Sequence, residues 1–250
     1  MHKNIIFVVL AFLLANISSL SAQADIDQVI EKIDQLYRSN TSRGEVEMEI
    51  ITPHWQRTLR MDMWTYKMEK TFIRITSPAR EEGFATLRID DEMWNYLPQT
   101  DQVMKIPPSM MMGSWMGSDF TNDDIVRESS LFEDYDYQFT EVENPQPENL
   151  YIKLIPHEDA PVVWSEIIMA VRESDYLPVW EKFYGENHEL ARTMCFRDIE
   201  TVGGKTIPTE MELIPENEEG QKTVVRYLHI EFNVDIDEDI FSLRNLQSQQ

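Results

Sequence analysis

Hydrophobic and polar positions alternate along most of this chain. From Gly44 to Thr52, Val46, Met48 and Ile50 take one side and Glu45, Glu47 and Glu49 the other. That period of two marks a strand with one dry and one wet face. Gln56 to Tyr66 repeats it through Leu59, Met61 and Met63, although Trp64 breaks the simple alternation. Lys70 to Thr76, Phe84 to Ile89 and Glu92 to Leu97 follow, cut by Ser77-Pro78, Asp90-Asp91 and Pro98. In the last of these, Trp94 and Tyr96 share a face and Met93 and Asn95 the other; a buried, structural Trp94 is expected. Further strands are predicted at Tyr135 to Val142, Asn149 to Ile155, Val162 to Arg172, Pro178 to Tyr184, Leu190 to Glu200, Thr206 to Ile214 and Gln221 to Val234. Short strands between regular turn signals predict an antiparallel meander, sandwich or barrel of about ten or more strands.

Two stretches depart from this period. In DIDQVIEKIDQLYRSN, Ile26, Val29, Ile30, Ile33 and Leu36 recur at helical spacing, which predicts one amphipathic helix. A curled sheet needs something to fill its inner face, and this helix is one candidate. The other is Ser109 to Gly117, read as a short helix or lid-like loop. Met110, Met111, Met112, Trp115 and Met116 lie within seven residues there, after Pro107-Pro108 and around Gly113 and Gly117. Flexible thioethers suit a surface that adapts to a variable apolar ligand. So many apolar residues exceed what one buried stripe uses, which marks an interaction surface. Asp235 to Gln250 is a short terminal helix or tail.

The first residues have another purpose. Lys3, the apolar run Ile5 to Leu14 and Ala22-Gln23-Ala24 form a secretory signal peptide with cleavage after Ala24. The run breaks at Asn16, short of the roughly 20 residues a membrane span needs. No cysteine sits at the cleavage point to accept a lipid. The division is a signal peptide over 1–24 and one domain over 25–250, which is expected to be soluble and exported.

Charge and chemistry narrow the function. With 22 basic and 45 acidic side chains the formal charge is −23, which disfavours nucleic acid and anionic lipid surfaces. The lone Cys195 permits no internal disulfide. Gly113-Ser114-Trp115-Met116-Gly117 places serine one position too early for a hydrolase elbow. His2, His54, His157, His188 and His229 form no short metal-binding pair. Asp119, Asp123 and Asp124 lack the glycine and closing glutamate of a calcium loop and read as a solvated acidic turn or helix cap. No metal, cofactor or catalytic residue is assigned, and a non-enzymatic protein is expected.

The chain resembles the LolA-like family of outer-membrane lipoprotein-sorting proteins. The matching pieces are Ser77-Pro78-Ala79 with Gly83, Met93-Trp94-Asn95-Tyr96-Leu97-Pro98, Met116-Gly117-Ser118-Asp119-Phe120 leading to Asp123-Asp124, and Asp239-Ile240-Phe241-Ser242 up to Leu246. The likeness is to the less characterised branch, associated with RND/MMPL-type transporters. It implies a mainly β fold, an unclosed antiparallel β-barrel over helices, with a helical or loop lid and an apolar cavity for acyl chains. The implied function is a periplasmic carrier of lipid or lipoprotein acyl chains that works with an inner-membrane transporter. The alternatives are a sensor of lipidated proteins and a lipid-acting hydrolase. Val46, Met48, Ile50, Leu59, Met61, Met63, Met110, Met111, Met112, Trp115 and Met116 are the candidate lipid-binding residues.

Overall fold

The computed structural model describes residues 25–67, 69–126, 134–158, 160 and 162–248. The expected signal peptide lies outside them. Among the described residues no helix is long and apolar enough to cross a membrane.

Thirteen antiparallel strands form one open sheet, ordered β6-β5-β4-β3-β2-β1-β13-β12-β11-β10-β9-β8-β7. The strands are β1 Thr41–Ile51, β2 Gln56–Tyr66, β3 Lys70–Ser77, β4 Ala85–Ile89, β5 Glu92–Leu97, β6 Gln102–Lys105, β7 Tyr135–Phe139, β8 Asn149–Pro156, β9 Glu166–Arg172, β10 Pro178–Tyr184, β11 Leu190–Val202, β12 Lys205–Pro215 and β13 Lys222–Phe232. Each pairs with its neighbours in sequence, except that β6 and β7 do not pair with each other and end the sheet as its two edges, while β1 pairs with β13. The fold is thus two meanders joined along one ladder. Residues 106 to 126, which follow β6, form a segment that crosses the sheet's inner face.

Helix α1, Ile26–Asp34, starts at Asp25, whose carboxylate accepts from the Asp27 amide at 3.2 Å, the usual way of satisfying a free first-turn donor. Val29, Ile30 and Ile33, with Leu36 just beyond, pack on Ile152, Leu154, Ile167, Met169 and Ile207 of the sheet's inner face. The crossing segment covers the other half of that face. Trp115 packs there against Val46, Met48, Ile50, Leu59, Met61, Ile73, Ile75 and Met93.

The β1–β2 register matches the expected faces. Val46 opposes Met61 and Met48 opposes Leu59, and all four are buried. The glutamates point outward into cross-strand ion pairs, Glu47 with Arg60 at 3.1 Å and Glu49 with Arg226 at 3.0 Å.

The outer face of β2 to β5 is also dry. Phe241 and Leu246, from the turn Glu238–Phe241 and the helix Leu243–Gln247, bury Phe72, Ala85, Leu87 and Tyr96. Arg74 donates to the carbonyls of Asn245 at 2.7 Å and Ser248 at 2.5 Å, which holds the tail in place. Trp64 belongs to this outer cluster, 5.7 Å from Phe72 between ring centres. Its place in the alternation is therefore regular, on a second buried face. Trp94 shares this outer face with Tyr96, as expected, and Met93 lies on the inner one; the Trp94 ring is mostly buried, with Lys105 Nζ 5.4 Å from its centre.

Candidate functional site

The segment after Pro107 is a loop with one short 3-10 turn, Pro108–Met110, followed by helix α2, Asn122–Val126. Its apolar residues divide. Met110 and Met112 are each 48% exposed, Met111 and Met116 are partly buried, and Trp115 is 1% exposed. The Trp115 indole N–H donates to Thr86 Oγ1 at 3.1 Å, and Thr86 donates in turn to Asn95 Oδ1 at 2.8 Å. Such a buried polar chain is favourable only when every member is satisfied, so it fixes the ring in place. Asp119 pins the next turn to β13: Thr223 Oγ1 donates to its carboxylate at 2.7 Å and Gln221 at 2.6 Å.

Helix α2 opens with a reciprocal cap. The Thr121 amide and hydroxyl donate to Asp124 Oδ2 at 2.8 and 2.9 Å, and the Asp124 amide donates to Thr121 Oγ1 at 3.1 Å. This is the geometry of a capping box, in accord with the cap reading of the acidic turn. Asp124 also does something the cap reading did not contain. Arg192, on the inner face of β11, donates to both its oxygens at 2.7 and 2.6 Å. The guanidinium lies 4.4 Å from the Trp164 ring and 4.6 Å from Phe183, and Nε has no acceptor among the described residues. Burial alone would raise the Asp124 carboxyl, but the bonds and charge of Arg192 and the bonds from Thr121 together hold it below the usual range.

Two hollows flank this pair on the inner face. The first, about 220 Å³, is lined by Phe120, Leu154, Trp164, Ile167, Phe183 and Met194 together with Asp123, Asp124, Glu181 and Arg192. The second, about 180 Å³, lies between Tyr37, Ser42, Met63, Thr65, Ile73 and Tyr227. Asp124 borders both. Of the candidate lipid-binding residues, Met63 lines a hollow. Val46, Met48, Ile50, Leu59 and Met61 are packed beneath Trp115, while Met110 and Met112 face outward. Ser114 donates to the Ser118 carbonyl at 2.5 Å. Among the described residues no group of three His, Cys, Asp or Glu is placed to hold a metal ion.

Pattern reading missed Glu181 and Arg192. Both sit in phase with apolar residues, Glu181 opposite Met194 across the β10–β11 ladder and Arg192 two residues before Met194. A charge in the dry phase of a strand is the signal that could have found them. Burial pushes the Glu181 carboxyl up to about 7, with Arg192 only partly opposing. An unfolded chain releases that proton near the ordinary carboxylate value, the folded protein only near 7. Stability therefore falls as pH rises through that window and stays lower above it. Glu181→Gln is expected to gain on the order of 3 kcal/mol at about pH 8 and almost nothing at about pH 4. Urea unfolding at the two pH values checks this; an equal effect at both would show that the carboxyl is not held protonated.

The model of one protein family, described as "Uncharacterized protein", matches residues 67–248. No curated protein matches the chain. Among solved structures, a DUF1329 family protein from Desulfovibrio piger superposes with TM-score 0.79 at 23% identity, over 88% of this chain and 96% of its own. A LolA superfamily protein from Nitrosomonas europaea gives 0.73 at 20% identity, over 89% and 100%. A protein from Vibrio parahaemolyticus, described as an outer membrane lipoprotein-sorting domain, gives 0.75 at 18%, over 90% and 100%. All three share the open sheet and its overall path. With that family's model matching well over half of its length, the chain belongs to that family, and its fold is the LolA-like one.

Proposed function

We propose that this protein is an exported, non-enzymatic carrier that shields acyl chains of a lipid or lipoprotein beneath the crossing segment and works with an inner-membrane transporter of the RND/MMPL type. The observation that carries the reading is the pair of largely apolar hollows divided by Asp124 on α2. Ligand pockets generally begin near ~300 Å³. Each hollow alone is smaller, and a shift of α2 would join them into a chamber of that size. The LolA-like fold supports the reading, since one protein that shares it is described as a lipoprotein-sorting domain.

The energetics suit a carrier. Each buried methylene is worth ~0.8 kcal/mol, so a chain filling both spaces is held firmly with no covalent step. Met63 and Met194 are adaptable lining residues, one in each hollow. The row from Val46 to Met61 would join the lining only where Trp115 withdraws.

Filling the hollows tests this. Met63→Trp and Met194→Trp should each weaken binding of a fluorescent fatty acid by about ten-fold or more, the loss of roughly two methylenes of contact, with melting temperature retained. Undiminished binding in both variants would place the ligand elsewhere and overturn the reading.

A further inference from the structure

We propose that the hollow at Glu181 seats a cationic, hydrogen-bond-donating head, an aliphatic amine on an alkyl chain, and that it rejects a free carboxylate. The inference rests on the carrier reading and names which end of an amphiphile enters this hollow.

The polar groups facing the space decide it. Asp124 is satisfied by Arg192 and Thr121, and Arg192 spends both terminal nitrogens on Asp124 while two rings flank its plane. Tyr37, which lies close enough to Glu181 to feel its charge, donates its hydroxyl to the Pro208 carbonyl at 2.8 Å. Glu181 lines the hollow with no hydrogen bond or ion pair of its own among the described residues. A buried carboxyl without a partner is costly, and a donor brought in by a ligand removes that cost.

Charge gives the sign. Asp123 and Asp124 face the hollow against the single guanidinium of Arg192, and Glu181 adds a third negative charge when an incoming ammonium favours loss of its proton. An ammonium is attracted and an anion repelled, and both effects grow in a space walled by Leu154, Ile167, Trp164 and Phe183. Size agrees. A dry cavity of ~150 Å³ holds one benzene, so about 220 Å³ takes an amine and several methylenes while the rest of the chain leaves through the opening.

The test uses the mature chain and three probes of equal length, decylamine, decanol and decanoate, each displacing an uncharged fluorescent fatty-acid ester near neutral pH. Decylamine should displace at a concentration about ten-fold or more below decanoate, the worth of a hydrogen bond to a charged group. Glu181→Gln should erase that preference and leave decanol nearly unchanged, and Met194→Trp should exclude the amine. Equal displacement by amine and carboxylate, or a preference that survives Glu181→Gln, would overturn the head-group assignment and leave the carrier reading standing. Displacement by none of the three would overturn both.

Discussion

Asp124→Ala is expected to destabilise the protein by about 3–5 kcal/mol, the range for removing one member of a buried ion pair. Arg192 is 6% exposed and gives two hydrogen bonds to this one carboxylate. Without it the guanidinium stays between Trp164 and Phe183 with no counter-charge. The same substitution removes the side chain that caps α2 through Thr121. The pair's net worth is much smaller than this loss, because an apolar pair of similar volume avoids the desolvation of both charges. Asp124→Ala combined with Arg192→Met should therefore recover much of the stability, with a coupling energy in the ~0.5–3 kcal/mol range of contacting residues. Urea unfolding of the two single variants and the double variant measures it. A single-variant cost below ~1 kcal/mol would mean that the pair is not enclosed in solution. Since the Asp124 carboxyl is held below its ordinary value, its contribution is present at neutral pH and lost as pH falls through that lowered value.

Trp115→Ala is the second large effect, about 3–5 kcal/mol for truncating an enclosed aromatic. The ring is 1% exposed, packs on Val46, Met48, Leu59 and Met61, and closes the polar chain through Thr86 to Asn95. Met110→Ser and Met112→Ser, on the exposed part of the same loop, should each stay within ~0.5 kcal/mol of the parent. Thermal and urea melts of the three variants check the contrast. Comparable losses at all three would make the loop uniform core, and none at all would release Trp115 from the sheet. The composition of this segment shows its greasiness. It does not show which residues face inward, because a turn that is neither helix nor strand has no period to read.

The same reasoning explains what else was legible. Val46 to Ile50 and Leu59 to Met63 stand out because one face is wet and charged. Trp64 looks irregular in sequence because its cover, Phe241 and Leu246, lies far along the chain. Strand β6 escapes notice, since Gln102 to Lys105 is only four residues long, with Val103 and Met104 adjacent instead of alternating, and sits between Pro98 and Pro107. Of the site, the acidic turn was visible and its partner was not. Asp124 and Arg192 are 68 residues apart, and only the curl of the sheet brings them together.

The ladder between β1 and β13 has a kinetic consequence. All other strand pairs are local hairpins or near neighbours, whereas this one matches Ser42 with Phe232 and Ile51 with Lys222. The entropy of closing so long a loop grows only slowly with length, but non-local pairings are what slow folding most. Each meander can assemble from its own turns; the seam between them waits for both ends of the chain to meet. Gly44 stands at that seam, where a Cβ would come within 2.8 Å of the His229 carbonyl oxygen. The step that makes the two halves one domain thus passes through a contact with room for a single hydrogen atom, beside the second hollow, which Ser42 and Ile230 of the same ladder also line, and that step is expected to limit the rate of folding.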